Sequence, residues 1–417
     1  MRRQRERIGF MRRTLAVAGA LGLLAGVASA DVTTEQGASI LVWPKVIAAG
    51  TRDTIIQIAN TSNMMVFAHC FYVNAGLLDP TKPFDPLFNP QLWQETDFDI
   101  ALTRQQPTVW VASIGRQFNP SDSSCTKTNF SCYGAGLDPG LVPPVRSTQA
   151  ASFTGELKCI ETDQLGRPGS GTGSAPFNAM PGNHLKGEAT LVTLGGVNNG
   201  DVSKYNAIGI KADPLNVGAV DEDGILCLGG DGSTAPCLFD PASGGPEYAA
   251  CPQTWILNHF AEGAHDPIAQ DDAGTTSTNV STELTVVPCT ENFETQVPTA
   301  VTIQFSVTNE FETSFSASTT VTCWSNTTLE AISNAFTRTA LQTDFAQTRM
   351  RPAGSASASG FLIVAEEFHT ATNGGVTRTA TAAFNPHQEG DRPGPDLITI
   401  PGGQFGDGDT PGSPPQN

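Results

Sequence analysis

The 417 residues contain no H-E-x-x-H pair, no G-x-S-x-G elbow, no phosphate-binding G-x-x-x-x-G-K loop and no C-x-x-C pair. The signatures of zinc peptidases, α/β-hydrolases, P-loop enzymes and zinc ribbons are therefore missing. Charge is scarce, at 15% of residues, and so are aromatics, at 7%. What charge there is leans acidic, with 41 Asp and Glu against 23 Lys and Arg. Such a surface repels phosphate backbones and anionic headgroups, which argues against nucleic acid and membrane-surface partners. Long apolar runs are confined to residues 15–27, so no membrane span is expected once that stretch is removed.

That run belongs to a leader. Arg2, Arg3, Arg5, Arg7, Arg12 and Arg13 precede it, and Ala28, Ser29 and Ala30 supply the small residues read by a signal peptidase. Residues 1–30 are expected to be a signal peptide and Asp31 the first mature residue. Removing six arginines and one glutamate takes the formal charge from −18 to −23. A secreted protein, periplasmic or extracellular, follows from the leader.

What is abundant is Gly and Pro, at 42 and 29, together with Ser and Thr, the composition of short strands joined by turns. All nine cysteines follow the leader, and export makes disulfides the default reading. Strand alternation places Cys70 with Val66 and Ala68, and Cys159 with Phe153 and Leu157, so a Cys70–Cys159 bridge inside one core is expected. The same logic pairs Cys289 with Cys323. Cys125 and Cys132 would close a small loop, two of Cys227, Cys237 and Cys251 would pair, and one cysteine is left over.

Strand patterns begin at residues 39–42, 54–59 and 64–73, and the stretch 38–73 has a second version beginning near residue 283. Residues 119–148 form a long insertion. Residues 212–282 are rich in Asp, Gly and Cys and read as a disulfide-pinned connector. From there the alternation is clean: Val301, Ile303, Phe305 and Val307 interleave with Thr302, Gln304, Ser306 and Thr308, so one face is buried and the other wet. Leu329, Ile332 and Phe336 sit at helical spacing. After residue 385 the chain reads as a disordered tail, 386–417.

The halves share landmarks in the same order: Val42-Trp43-Pro44 with Val286-Val287-Pro288, Ile56-Gln57 with Ile303-Gln304, and Gly155 to Leu157 with Gly360 to Leu362. A duplication with longer loops in the first copy is the expectation. The fold class is thus all-β, two tandem antiparallel β-sandwiches, at residues 31–211 and 283–385, with long loop insertions and the connector between them. In architecture alone it resembles the immunoglobulin-like or fibronectin-like modules of bacterial envelope proteins.

Two clusters carry ligand chemistry. Asp221, Asp223 and Asp231 lie in a glycine-bearing loop of the kind calcium prefers, with a solvated acidic turn as the alternative. His259, Glu262 and His265 could meet at another metal, or could simply occupy a polar loop. No cofactor other than calcium is called for. Glu366 and Glu367 alternate in a strand, point to opposite faces and cannot act as a catalytic pair. The expectation is an exported non-catalytic protein, structural, adhesive or binding, of the bacterial cell envelope or extracellular space, with another protein, a glycan or a second copy as partner. The competing class is an extracellular hydrolase or carbohydrate-active enzyme with its site in the first-half insertions.

Overall fold

The computed structural model describes residues 31–400 apart from 80, 83–84, 86, 117–144, 146–151, 163–178, 180–181, 214–223, 231–236, 238–245, 268, 270–272 and 355–358. The expected signal peptide, the Cys125 and Cys132 loop, the Asp221, Asp223 and Asp231 cluster and residues 401–417 lie outside the described residues.

The first half runs through β1 (Val32–Thr33), β2 (Ile40–Ala48), β3 (Arg52–Asn60), β4 (Val66–Asn74), β5 (Gln94–Leu102), β6 (Pro107–Val111), β7 (Phe153–Thr162), β8 (Leu185–Thr193), β9 (Val202–Asn206) and β10 (Ile208–Ile210). Then come β11 (Ile225–Leu228), β12 (Pro252–Phe260), β13 (Thr275–Pro288), β14 (Glu291–Asn292), β15 (Ala300–Asn309), β16 (Ser314–Thr322) and β17 (Ser325–Thr328). Short helical turns follow: α1 (Leu329–Ile332), where the helical spacing predicted a helix, and α2 (Arg338–Leu341), which it did not. The chain closes with β18 (Phe345–Pro352), β19 (Phe361–Asn373), β20 (Val376–Phe384), β21 (His387–Asp391) and β22 (Asp396–Thr399).

Among the described residues these strands form five sheets, ordered β1-β10-β2-β7-β4-β5, β6-β3-β8-β9, β16-β15-β18-β12-β21, β17-β13-β19-β20 and β11-β22-β14. The molecule is all-β, and among the described residues its strand-to-strand pairings are antiparallel except β14 with β22. The arrangement is propeller-like rather than two clearly separate immunoglobulin-like sandwiches. The reason lies in the first sheet. In β2 and β7 nearly every residue is buried, Lys45, Glu156 and Lys158 included, so both faces are covered. One face, through Trp43, Cys70, Tyr72 and Leu157, packs with Ile56, Leu185 and Ala189 of the second sheet. The opposite face, through Ile40, Val42, Phe71 and Ile160, packs with Trp255, Leu284, Phe361 and Ile363 of the second half. One apolar core therefore runs through both halves. Gly187 is part of this fit, since a Cβ there would stand 2.2 Å from the Trp43 ring.

Two expectations are corrected at the boundaries. Residues 212–282 are not a connector: β12 is an inner strand between β18 and β21, with Trp255 and Leu257 in the core. The folded unit also continues past residue 385, because β21 pairs β12 and β22 pairs both β11 and β14.

Cys70 bonds Cys159, Cys227 bonds Cys237, and Cys251 bonds Cys289. The expected Cys289–Cys323 bridge is absent. Strand parity fixes the face a cysteine occupies but not its neighbour, and Cys289 leaves β13 beside Cys251. Cys323 sits at φ 64°, which turns the chain out of β16, and it is a buried thiol packed with Ala75, Val287 and Trp324. Burial pushes that thiol up to about 12. It is expected to resist alkylation in the folded protein and react only on denaturation, which mass spectrometry of labelled peptides will show. Rapid native labelling of Cys323 would contradict this packing.

Candidate functional site

Sequence reasoning placed His259, Glu262 and His265 together, and the structure does not. His259 lies on β12, wholly buried, with Nδ1 2.8 Å from the Phe260 carbonyl, Nε2 2.8 Å from Thr348 Oγ1, and its ring tilted against Phe336. Burial lowers its pKa, so it is a neutral core imidazole. Glu262 accepts the Thr282 amide hydrogen at 2.7 Å and is pushed up to about 7, chiefly by burial. His265 is exposed. The neighbour that does find a histidine is Asp266, 3.1 Å from His369 Nδ1, with Glu367 on the other ring nitrogen at 3.4 Å. Among the described residues Cys251, Cys289 and Asp396 come within metal-binding reach of one another. Those two sulfurs are bonded to each other and so are not thiolate ligands.

Buried charge is instead concentrated where the halves meet. Lys45, inside β2, reaches Glu283 at 2.8 Å and Glu366 at 2.7 Å. These glutamates are direct cross-strand partners on β13 and β19, an arrangement that would repel without the cation between them. Arg52 adds a second cation on Glu366, and Tyr205 donates its hydroxyl to the Lys45 carbonyl at 2.6 Å. Lys158 on β7 stands between Glu156, at 2.8 Å, and Glu291 on β14, and also lies 5.7 Å over the Phe293 ring. Glu291 is pushed well up by burial and by the Glu156 carboxylate. Sequence reasoning missed both groups, because Lys45 and Lys158 lie inside strands and their partners Glu283, Glu366 and Glu291 are more than 100 positions away.

The groups that face solvent as an array belong to the sheet β16-β15-β18-β12-β21. Its outer surface carries Thr302, Gln304, Ser306 and Thr308 from β15, opposite Thr320, Ser318, Ser316 and Ser314 of β16. On the other flank Gln304 and Ser306 stand opposite Arg351 and Arg349 of β18. Hydroxyls bond across the strands, Thr302 to Thr320 at 2.9 Å and Thr308 to Ser314 at 3.3 Å. Gln347 donates to Asn258 at 3.0 Å and Arg349 pairs with Glu389. The inner residues Val301, Ile303, Phe305 and Val307 fix this surface to the core. At the end of β16 a cavity of about 480 Å³ opens against the first half, lined by Thr322, Trp324, Ser325, Ala75, Leu77 and Gln91 among others. The surface can donate and accept hydrogen bonds at strand spacing, with Arg351 and the Arg349–Glu389 pair along one flank.

No protein-family model matches the chain, and no curated protein does either. Among solved structures, a chain from the cryo-EM structure of Broad Bean Stain Virus aligns over 89% of this chain and 97% of its own length. It does so at 10% identity and a TM-score of 0.14, values at which the likeness carries no argument about fold or function.

Proposed function

We propose that the chain is an exported, non-catalytic protein of the bacterial cell envelope or extracellular space, acting by structure, adhesion or binding. The observation that supports this is the open polar face of the β16-β15-β18-β12-β21 sheet, a ladder of hydroxyl, amide and arginine groups on a rigid core. Such a surface suits contact with another protein or a glycan. The interior charges support the same reading: Lys45, Arg52 and Lys158 are engaged by glutamates at the contact between the halves rather than displayed in a cleft. Three disulfides among the described residues fit export, and no described helix is long and apolar enough to cross a membrane.

The tandem-sandwich reading keeps support at its centre. Trp43 pairs with Leu157 across β2 and β7, and Val287 pairs with Leu362 across β13 and β19. These are the residues the sequence landmarks match. β3 and β15 likewise each lie between two partners. Outside that frame the halves diverge, since β4 pairs β7 whereas β17 pairs β13.

The test is a panel of glycan, ester and peptide substrates together with a glycan and protein binding array. Retention on a ligand without turnover is the expected result. Turnover that survives purification and is lost on Asp122→Asn or Asp138→Asn in the first-half insertion would overturn the proposal in favour of a hydrolase.

A further inference from the structure

A sheet edge exposes a row of unpaired N–H and C=O groups, and folded proteins usually guard such edges with charge, proline or a covering element. Among the described edge strands three are nine residues long, β5, β16 and β20. β5 carries Glu95, Asp97 and Asp99. The β20 edge is capped by side chains, with the Thr379 and Thr381 amides donating to Asn198 and Asp201 at 3.0 and 3.2 Å. β16, Ser-Phe-Ser-Ala-Ser-Thr-Thr-Val-Thr, has no charge, no proline and no glycine. The Asn309 amide bonds the Thr313 carbonyl and the Cys323 amide bonds the Thr299 carbonyl, so the odd-numbered residues face β15. The backbone groups of Ser314, Ser316, Ser318 and Thr320 therefore point outward along the open edge.

We infer that this edge pairs with the same edge of a second copy, antiparallel and about a two-fold axis at Ser318. The strand is complementary to itself. With Ser318 opposite its copy, Ser316 meets Thr320 and Ser314 meets Thr322, so every outer-face pair is hydroxyl against hydroxyl and two five-stranded sheets become one. The ends match as well. The hairpin before Ser314 presents Phe311, 73% exposed, and the strand ends at Thr322 beside the 480 Å³ cavity that Trp324, Ala75 and Leu77 help to line. Antiparallel pairing brings the Phe311 tip of one copy to the cavity of the other, twice over. Glu310 and Glu312 flank Phe311 at the tip, but neither β15 nor β16 carries an ionisable side chain and none lines the cavity, so the acidic tip meets no like charge there.

This names a partner for the binding-protein reading and rests on it only for biological use; the interface itself is independent of whether the chain turns over a substrate. The experiment is sedimentation of the full exported chain across a concentration series, with Ser318→Lys, Ser318→Asp and Phe311→Ser variants, each first matched to wild type in circular dichroism and unfolding midpoint. Wild type should be a dimer. Each Ser318 variant, placing like charges opposite each other, should raise the dimer Kd by roughly a hundredfold or more. An equimolar mixture of the Lys and Asp variants should restore a heterodimer, and Phe311→Ser should weaken the dimer without abolishing it. A wild type that stays monomeric at the highest attainable concentration would overturn the interface. So would single variants that remain dimeric, or a mixture that fails to recover. None of these outcomes bears on the substrate panel above.

Discussion

Replacing Lys158 by methionine is expected to cost about 3–5 kcal/mol of folding stability, because it leaves Glu156 and Glu291 buried against each other without their cation. All three side chains are at most 1% exposed. A surface ion pair would contribute about 1 kcal/mol at most, so the size of the loss reports burial rather than charge pairing as such. The triple variant Glu156→Gln, Lys158→Met, Glu291→Gln should regain most of the loss, since no unpaired charge then remains. Urea unfolding of the three proteins decides it. A Lys158→Met variant within about 1 kcal/mol of wild type would mean that the triad is wetter than its packing against Phe293 implies. Lys45→Met is expected to behave alike, since Arg52 alone would then face the opposed Glu283 and Glu366.

Stability is also expected to fall as pH rises from 6.5 towards 10. His69 lies in the first sheet with Nδ1 2.7 Å from Asp99 and Nε2 3.2 Å from Asp97. Burial would lower its pKa, but the Asp99 charge and hydrogen bonds to both aspartates outweigh that and hold it up to about 10. A raised imidazole contributes fully below 6.5, where folded and unfolded chains both hold the proton. Above 6.5 the unfolded chain gives the proton up while the folded chain keeps it, and the contribution is lost by pH 10. For a residue this buried the decline should amount to several kcal/mol. Glu262, raised to about 7, adds a smaller decline between 4.5 and 7 with the same sign. Partly buried Glu95, raised by burial and by Asp97, acts in that direction too. Denaturant midpoints from pH 5 to 10 for wild type and His69→Gln test this. The variant should lose the upper part of the slope, and a profile that the variant leaves unchanged would remove His69 as its source.

Local alternation made much of the fold legible. Residues 301–308 state their inner and outer faces without a break, and the structure follows them residue for residue. Parity also put Cys70 and Cys159 on one face, where they bond. Alternation fails where both faces of a strand are covered. In β2 and β7 the charged Lys45, Glu156 and Lys158 are interior, and the partners that accompany Lys45 and Lys158 there, Glu283, Glu366 and Glu291, come from distant strands. Short strands fail for another reason. β21 reads His-Gln-Glu-Gly-Asp, a sequence whose polarity signals a loop, and it is held as a strand by β12. The site chemistry was least legible: His259 and Glu262 lie close in sequence, yet β12 buries the histidine against Thr348 while Glu262 meets the Thr282 amide. Spacing in sequence does not determine which way a side chain leaves a strand end.

The buried charges at the contact between the halves make one claim together, that the two halves are a single body built around the doubly covered first sheet. Calorimetric unfolding of the oxidised full chain tests it most directly. One cooperative transition is predicted, with its van't Hoff and calorimetric enthalpies equal and with Lys158→Met lowering the midpoint of the whole transition. Two resolved transitions, only one of them moved by Lys158→Met, would show two independent domains and contradict it.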